Sequence, residues 1–317
     1  MVIYAKFFNI NLNKIYVLFL IFLFGSANPV FSEDESSRVK QEIINNIIDN
    51  GNEKSVTFLS NILPEKSNVE VNLHAIENSK NKYKLSGDLS FVAPILLNDN
   101  GVLFNQTQIG VYDVRDKSRV ALNLGLGYRQ LSDDKNYFTG INGFFDLDSK
   151  GNTRASAGLE FQASLFGANA NIYRRIGKSS NSVGVYKEKV LNGHDISVSG
   201  PLPYLPWLDI TLTNYRWDAV KAAKDSTGTK FSTEIRLDKN TVFGFGFDNN
   251  NIDKTTTFAS IMFTSGGGRQ PTLKDGLFSE TAFNLGDVRE KLLMKVRRNN
   301  RIVLESENVG VVVVRLD

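Results

Sequence analysis

Residues suited to acid–base or metal chemistry are few in this sequence. His74 and His194 are its only histidines, and Asp195 follows the second one. Adjacent residues of a strand point to opposite faces, so His194 and Asp195 cannot form a catalytic dyad with each other. Cysteine is absent, which excludes disulfides and thiol chemistry, and no Asp, Glu or His cluster has the spacing of metal ligands. We therefore predict no enzyme activity, no catalytic residue, no cofactor and no metal.

The charge balance argues against one class of partner. The chain has 37 basic and 34 acidic residues, and no long tract of Lys and Arg. A nucleic-acid-binding protein needs a concentrated basic patch that neutralises phosphates. We predict no nucleic-acid partner.

The N-terminus has the features of an export signal. Lys6 and Lys14 precede an apolar run at residues 15–24, and small or polar residues follow the run. The run is shorter than the about 20 residues that a membrane-spanning helix needs. This order is typical of a cleaved signal peptide, which we place at residues 1–32, with cleavage after Ala27 or Ser32. An uncleaved anchor is the alternative.

Residues 33–67 are largely polar. Val39, Ile43 and Ile47 fall at helical spacing. We predict a periplasmic leader with a short helix, and a solvated leader with transient helix is the alternative.

From residue 68 onward, apolar and polar residues alternate, which is typical of strands with one apolar and one polar face. Five segments show the alternation most clearly: NVEVNLHA, YKLSGDLSFVA, RVALNLGLGYR, TRASAGLEF and KFSTEIRLD. Seven further candidate strands lie at residues 103–112, 137–147, 166–173, 194–200, 208–217, 242–247 and 257–263. Clusters of Asn, Asp and Gly between several of them predict turns. The total is about twelve strands.

Alternation alone does not separate a soluble β-sandwich from a membrane barrel. The export signal favours the barrel, and so do strands near the roughly ten residues that cross a bilayer when tilted. Aromatic residues such as Tyr83, Tyr137 and Trp217 cluster near strand ends, as they do at membrane interfaces. We therefore predict an all-β fold, a transmembrane antiparallel β-barrel at residues 68–265. An even strand number lets the last strand pair with the first.

The alternation ends at the glycines of residues 266–268. Residues 287–296 then predict a short helix, with Val288, Leu292 and Leu293 on one side. The basic sequence RRNNR and the strand-like run IVLE follow this helix, and GVVVVRLD ends the sequence.

Several segments resemble, in their order along the chain, the β-domain of the intimin/invasin family, the inverse autotransporters. They are VEVNL, LNLGLGYRQL followed by YFTGINGFFDLD, TRASAGLEF, NGHDISVSGPLPYLPWL and VRRNNRIVLE. The resemblance extends over residues 68–305. It implies a twelve-stranded barrel in the outer membrane of a Gram-negative bacterium. Outer-membrane lipid is then a partner, and periplasmic chaperones and the barrel-assembly machinery act during insertion.

The resemblance also implies that residues 266–317 hold a linker that starts inside the barrel as a short helix and threads the pore. Residues 287–296 take the helix position, and residues 297–305 take the position of the extended linker. The linker residues expected in the pore are Leu292, Leu293, Arg297, Arg298, Asn299, Asn300, Arg301, Ile302 and Leu304.

The polar strand faces supply the expected lumen residues, which are Gly125, Gly127, Arg129, Arg154, Gly158, Glu160, Glu234 and Arg236. Our hypothesis is that the glycines make room for the threaded helix, and bends in a strongly coiled barrel are the alternative. The charges are mixed in sign, and we expect them to pair partly with one another and partly with the linker arginines.

Members of this family continue into adhesive immunoglobulin-like domains. Here twelve residues follow Glu305, whereas such a domain takes about 100. The sequence therefore predicts an outer-membrane translocator or anchor that lacks a sizeable passenger. A small-solute pore is one alternative. A stub adhesin that touches a host or neighbouring cell through its surface loops is another.

Overall fold

The computed structural model describes residues 37–38, 41, 66–77, 83–115, 117–178, 180–183, 186–265, 270–283, 286–308 and 311–315. The signal peptide expected at residues 1–32 and the glycines at 266–268 lie outside this part of the chain. So do the apolar residues of the expected leader helix.

The described residues form sixteen strands. Twelve of them are β1 (Asn68–Glu77), β2 (Tyr83–Asn98), β3 (Gly101–Val114), β4 (Lys117–Leu131), β5 (Tyr137–Asp148), β6 (Thr153–Ala163), β7 (Gly167–Arg175), β10 (Gly193–Leu202), β11 (Leu205–Trp217), β12 (Ser226–Arg236), β13 (Thr241–Asn250) and β14 (Lys254–Thr264). The other four are β8 (Asn181–Val183), β9 (Tyr186–Val190), β15 (Leu304–Asn308) and β16 (Val311–Arg315).

The first twelve strands close into an antiparallel barrel. Each strand pairs with its neighbour in the order of the chain, and β14 closes on β1 with Glu70 opposite Thr264 and His74 opposite Ser260. Closure leaves no open edge, so each strand has a partner on both sides. The prediction of a closed barrel of about twelve antiparallel strands is confirmed.

The two faces of the barrel differ as the alternation predicts. On β5, Ile141 and Phe145 point outward and are 60% and 41% exposed, while Asn142 and Asp146 point inward and are buried. Large apolar side chains cover the outside on other strands too, among them Leu126, Leu159, Ile172, Ile196 and Leu212. An apolar exterior and a polar interior are the reverse of a soluble sandwich and suit a barrel in lipid.

The two ends of the barrel are unlike each other. At the near end, where β1 begins and β14 ends, the connections are short, and two residues join β2 to β3. At the far end, the connection from β7 to β10 spans residues 176–192 and contains β8 and β9. These two strands form a second antiparallel sheet with β15 and β16, in the order β16-β15-β9-β8. The sequence analysis did not predict this sheet.

The prediction of a short helix at residues 287–296 is wrong, because no such helix is formed. The structure has one 3-10 turn there, Arg289–Lys291, and the chain then continues without regular structure. The barrel wall supplies the missing hydrogen bonds, because Arg129 Nη1 donates to the carbonyl oxygens of Leu292 and Met294, each at 2.7 Å. In the part of the chain covered by the structure, no helix is long and apolar enough to span a membrane.

The outward position of Ile141 gives a direct test of the lipid-facing surface. We expect Ile141→Arg to lower the free energy of unfolding by about 2 to 4 kcal/mol, the cost of a cation near the bilayer midplane. Urea titration of protein folded in phospholipid vesicles measures this change. Glu280→Arg, at an exposed position outside the strands, is the control. Equal unfolding free energies for the two variants would contradict a lipid-facing surface.

Candidate functional site: the occupied barrel lumen

The chain that follows β14 runs around the near end before it enters the barrel. We name residues 270–283 and 286–287 the rim strap. Its carbonyl oxygens accept hydrogen bonds from residues at the near ends of neighbouring strands and from one turn: Pro271 from Arg236 of β12 at 3.2 Å, Leu277 from Trp207 of β11 at 2.8 Å and Ala282 from the Tyr204 amide in the β10–β11 turn at 2.9 Å. The rim strap is thereby held to the near end over several strands. Arg236, expected in the lumen, lies at this end and also pairs with Asp209 at 2.6 Å.

The chain turns into the barrel at Val288, whose amide donates to the carbonyl oxygen of Lys135 in the β4–β5 turn. We name residues 288–303 the lumen segment. In its first part, Val288, Leu292 and Val296 form a buried cluster with wall residues that include Phe104 and Phe144. Leu293 packs against the same cluster and is half-buried. The first part of the lumen segment therefore packs against the wall formed by β2 to β5.

The lumen glycines make room for wall side chains. A Cβ atom added at Gly125 would lie 2.2 Å from the Phe144 ring, and one at Gly127 would lie 2.4 Å from the Phe104 ring. At Gly158 the nearest atoms belong to Asn171 and Asn142. The lumen segment therefore packs on rings that lie across the glycines, rather than being nearest to the glycines itself. Our hypothesis that the glycines make room directly for the threaded chain is corrected in this respect.

Arg129 joins the wall to the lumen segment. Its Nη2 donates to Glu160 Oε2 at 2.7 Å, while its Nη1 donates to the carbonyl oxygens of Leu292 and Met294. Asn142 binds the other oxygen of Glu160 at 3.0 Å. The guanidinium is buried and would be costly to desolvate without these partners.

Basic side chains of the lumen segment meet acidic residues of the wall. Arg298 donates to Asp146 at 2.6 and 3.0 Å, and both side chains are fully buried. Arg297 contacts Glu234 at 3.2 and 3.3 Å, and both groups are partly exposed. Lys295 lies 3.4 Å from Asp88. The carboxylates of the wall therefore lie opposite the cationic side chains of the lumen segment.

Asp146 serves two guanidinium groups at once. Arg154 Nε donates to Asp146 Oδ2 at 2.8 Å, beside the contacts from Arg298. Arg154 also donates to the carbonyl oxygen of Asn299 at 2.7 Å. Asp146 and Arg154 thus each bind another wall residue as well as the lumen segment.

The extended part of the lumen segment has no regular secondary structure, so wall side chains satisfy its backbone. The Asn299 amide donates to the Tyr173 hydroxyl at 2.8 Å, and the Asn300 carbonyl accepts from Asn123 at 3.0 Å. Asn300 also donates to Gln108 at 2.7 Å, and Arg301 donates to Ser86 at 2.7 Å. These contacts hold residues 299–301 in one extended path.

The lumen segment leaves through the far end. Ile302 and Leu304 are buried in a cluster with Tyr112, Val114, Ala121 and Val190. The Val303 carbonyl accepts a hydrogen bond from the Leu191 amide at 3.0 Å, just before β15 pairs with β9. Residues 288–305 therefore pass through the barrel from end to end.

Some residues of the lumen were missed by the sequence analysis. Asp146, Gln106 and Tyr173 each contact the lumen segment. Asp146 could have been found, because it shares the inward face of β5 with Asn142 and Phe144. Among the described residues, no group of three or more His, Cys, Asp or Glu could hold a metal ion.

Known proteins resemble this arrangement in sequence and in fold. Residues 25–235 match the family described as "Inverse autotransporter, beta-domain". The chain belongs to the inverse autotransporter β-domain family. As a member of it, the protein is an outer-membrane β-barrel of a Gram-negative bacterium, and its outer surface sits in membrane lipid.

Two curated relatives agree with this family. The chain is 30% identical over 167 residues to "Putative attaching and effacing protein homolog" of Escherichia coli (strain K12), which covers 49% of the chain and 55% of that protein. It is 32% identical over 142 residues to "Intimin" of Citrobacter freundii, covering 44% of the chain and 14% of intimin. The matches thus span about half of the first relative and a small part of the second.

A solved structure shares the fold of this inverse autotransporter β-domain. It is described as "Unveiling the Mechanism Behind the in-meso Crystallization of Membrane Proteins", and it aligns with a TM-score of 0.61 at 22% sequence identity. The alignment covers 76% of this chain and 99% of that one.

The Gly125–Phe144 contact predicts the result of a small substitution. Gly125→Ala would push the Phe144 ring into the lumen segment, and we expect a loss of about 1 to 3 kcal/mol in unfolding free energy, as for overpacked cores. Gly143→Ala is the matched control, because a Cβ there meets only the Ser156 carbonyl oxygen, at 3.7 Å. Unfolding in urea measures both. A loss for Gly143→Ala as large as that for Gly125→Ala would remove the packing role of Gly125.

Proposed function

We propose that this β-domain is the membrane anchor and translocator of a C-terminal segment that passes through its own lumen to the cell surface. The observation that carries the proposal is the path of residues 288–305, which enter at the near end and leave at the far end. A pore built only for solutes has no need of wall carboxylates matched to cations of its own chain, such as Asp146 to Arg298.

The direction of the path follows from the two ends. In outer-membrane barrels short turns face the periplasm and long connections face outward. We therefore assign the near end, with its short turns and the first residue of β1, to the periplasm. The far end, with the long connection between β7 and β10, is assigned to the cell surface.

The remaining roles in the proposal rest on the sequence. Residues 1–32 act as the signal peptide, residues 33–67 as a periplasmic leader, and residues 266–317 as the exported linker with its tail. Periplasmic chaperones and the barrel-assembly machinery are the proposed partners during insertion. A host or neighbouring cell is the proposed contact at the surface.

Charge reversal inside the lumen tests the plugged translocator. Arg298→Glu would place a carboxylate beside Asp146, and breaking a buried pair of this kind costs about 3 to 5 kcal/mol. We expect the lumen segment to leave its path and the conductance in planar bilayers to rise well above that of the unmodified protein. Arg289→Glu is the control, since Arg289 lies near the lumen entrance with its side chain 53% exposed.

Equal conductance of Arg298→Glu and the unmodified protein would contradict the plugged translocator. If both are large, the alternative of an open small-solute pore gains support.

A charge swap tests whether the pairing itself matters. Arg297→Glu and Glu234→Arg each place like charges 3.2 to 3.3 Å apart in the present geometry. The pair is partly exposed, so we expect each single variant to destabilise the path by only about 1 kcal/mol. Conductance should rise in both single variants and return toward the unmodified level in the double variant. Failure of the double variant to recover would assign the effect to packing.

The proposed signal peptide has its own test. Mass spectrometry of the protein purified from outer membranes should give a mature chain that begins after Ala27 or after Ser32. A mass that retains Met1 would support the uncleaved anchor instead.

A further inference from the structure

The β8–β9 hairpin at the far end is fixed by residues of the barrel. Glu188 of β9 is fully buried, and its Oε1 accepts from Arg119 of β4 and from Arg115, the latter at 2.5 Å. Asn152, in the turn between β5 and β6, donates to Glu188 Oε2 at 3.0 Å. None of these partners belongs to the chain that threads the lumen. These contacts therefore anchor β9 to the barrel wall without using the chain that threads the lumen.

The chain that leaves the lumen pairs with this fixed strand. Leu304 lies opposite Val190, Ser306 opposite Glu188, and the antiparallel ladder extends from Leu304 to Asn308. Adding a strand to an exposed edge is a common way of binding an extended polypeptide. Main-chain hydrogen bonds give such binding its strength, and side-chain pockets give it selectivity.

One side-chain pocket receives Glu305. Its carboxylate is buried and accepts hydrogen bonds from three consecutive backbone amides in the loop between β11 and β12, those of Val220 at 2.8 Å, Lys221 at 2.9 Å and Ala222 at 3.2 Å. Successive amides that converge on one point form a binding site for an anion. A side chain without an acceptor oxygen at position 305 would leave these three donors unsatisfied.

A second contact receives Glu307. The ammonium groups of Lys221 and Lys189 lie 2.8 and 3.3 Å from its two carboxylate oxygens. The hydrogen bond from Lys221 holds the pKa of Glu307 below its usual range, so the group is ionised at neutral pH. The contacts at the far end therefore select an aliphatic residue, here Leu304, followed by acidic residues at the first and third positions after it, here Glu305 and Glu307.

From this geometry we propose that the β8–β9 hairpin and the loop at residues 219–222 form an exit clamp. The clamp binds an emerging strand of the pattern Leu304-Glu305-Ser306-Glu307 and prevents it from sliding back into the lumen. The inference rests on the proposed function, because the strand has to emerge from the lumen first. Because the clamp lies at the far end, it can bind the strand only after the strand has passed through the lumen. Binding therefore favours movement of the chain from the near end to the far end.

A single cysteine reports on the clamp. The chain has no cysteine, so Ser306→Cys introduces a unique thiol at a position that is 6% exposed. The rate of labelling by a membrane-impermeant maleimide is measured on intact cells and on permeabilised cells. Heat-dependent mobility in gels checks that the barrel is folded. We expect Glu305→Ala to raise the labelling rate from outside at least about tenfold, whereas Glu280→Ala, on the rim strap, leaves the rate unchanged.

The reciprocal change alters the clamp and leaves the emerging strand intact. Lys221→Pro removes one of the three amide donors together with the ammonium group, while Lys221→Ala removes the ammonium group alone. We expect faster labelling for Lys221→Pro than for Lys221→Ala. This pair of variants also tests the clamp if Glu305→Ala does not fold.

The outcomes separate the clamp from the proposed function. If Ser306→Cys labels from outside at the same rate with and without Glu305→Ala and Lys221→Pro, the clamp is overturned and passage to the surface stands. If the thiol reacts only in permeabilised cells in every background, Ser306 is not outside, and both the proposed function and the clamp fail.

Discussion

A polar group that is withdrawn from water must find its partner within the protein, and this constraint governs both surfaces of the barrel. In the hydrocarbon core the backbone has no water to bind, so the pairing of β1 with β14 is a requirement of the fold. In the lumen, buried guanidinium groups such as those of Arg129 and Arg154 meet the same requirement with side chains and carbonyl oxygens. One rule therefore accounts for the closed sheet and for the contents of its interior.

The lumen segment is best understood as part of the wall's own charge balance. Asp146 binds one arginine from the wall and one from the lumen segment, and without Arg298 its ion pairing would be halved. The wall in turn binds the backbone of residues 292–300, which has no regular structure of its own. Each side thus completes the other, which explains how a chain with little secondary structure keeps one path through a wide barrel.

The two ends of the barrel make different contacts with the chain that passes through it. At the near end the rim strap and the apolar contacts of Val288 and Leu292 guide the chain inward. At the far end a buried ion-pair network around Glu188 fixes a strand against which the chain can pair. This asymmetry suits a barrel that passes a polypeptide in one direction more than one that exchanges solutes.

Alternation by itself determined the strands and their two faces, because period-2 patterning fixes which residues of a strand share a face. The export signal, the strand lengths and the aromatic residues near strand ends then favoured a membrane barrel over a sandwich. The same register placed Arg129, Arg154, Glu160 and Glu234 inside, and the ordered motifs indicated the family. Tertiary structure alone decided the rest. The expected helix is not formed, and the carbonyl oxygens of Leu292 and Met294 accept hydrogen bonds from Arg129, which lies far away in sequence. The sheet of β8, β9, β15 and β16 joins segments more than a hundred residues apart, and strands as short as Asn181–Val183 leave no periodic pattern to read.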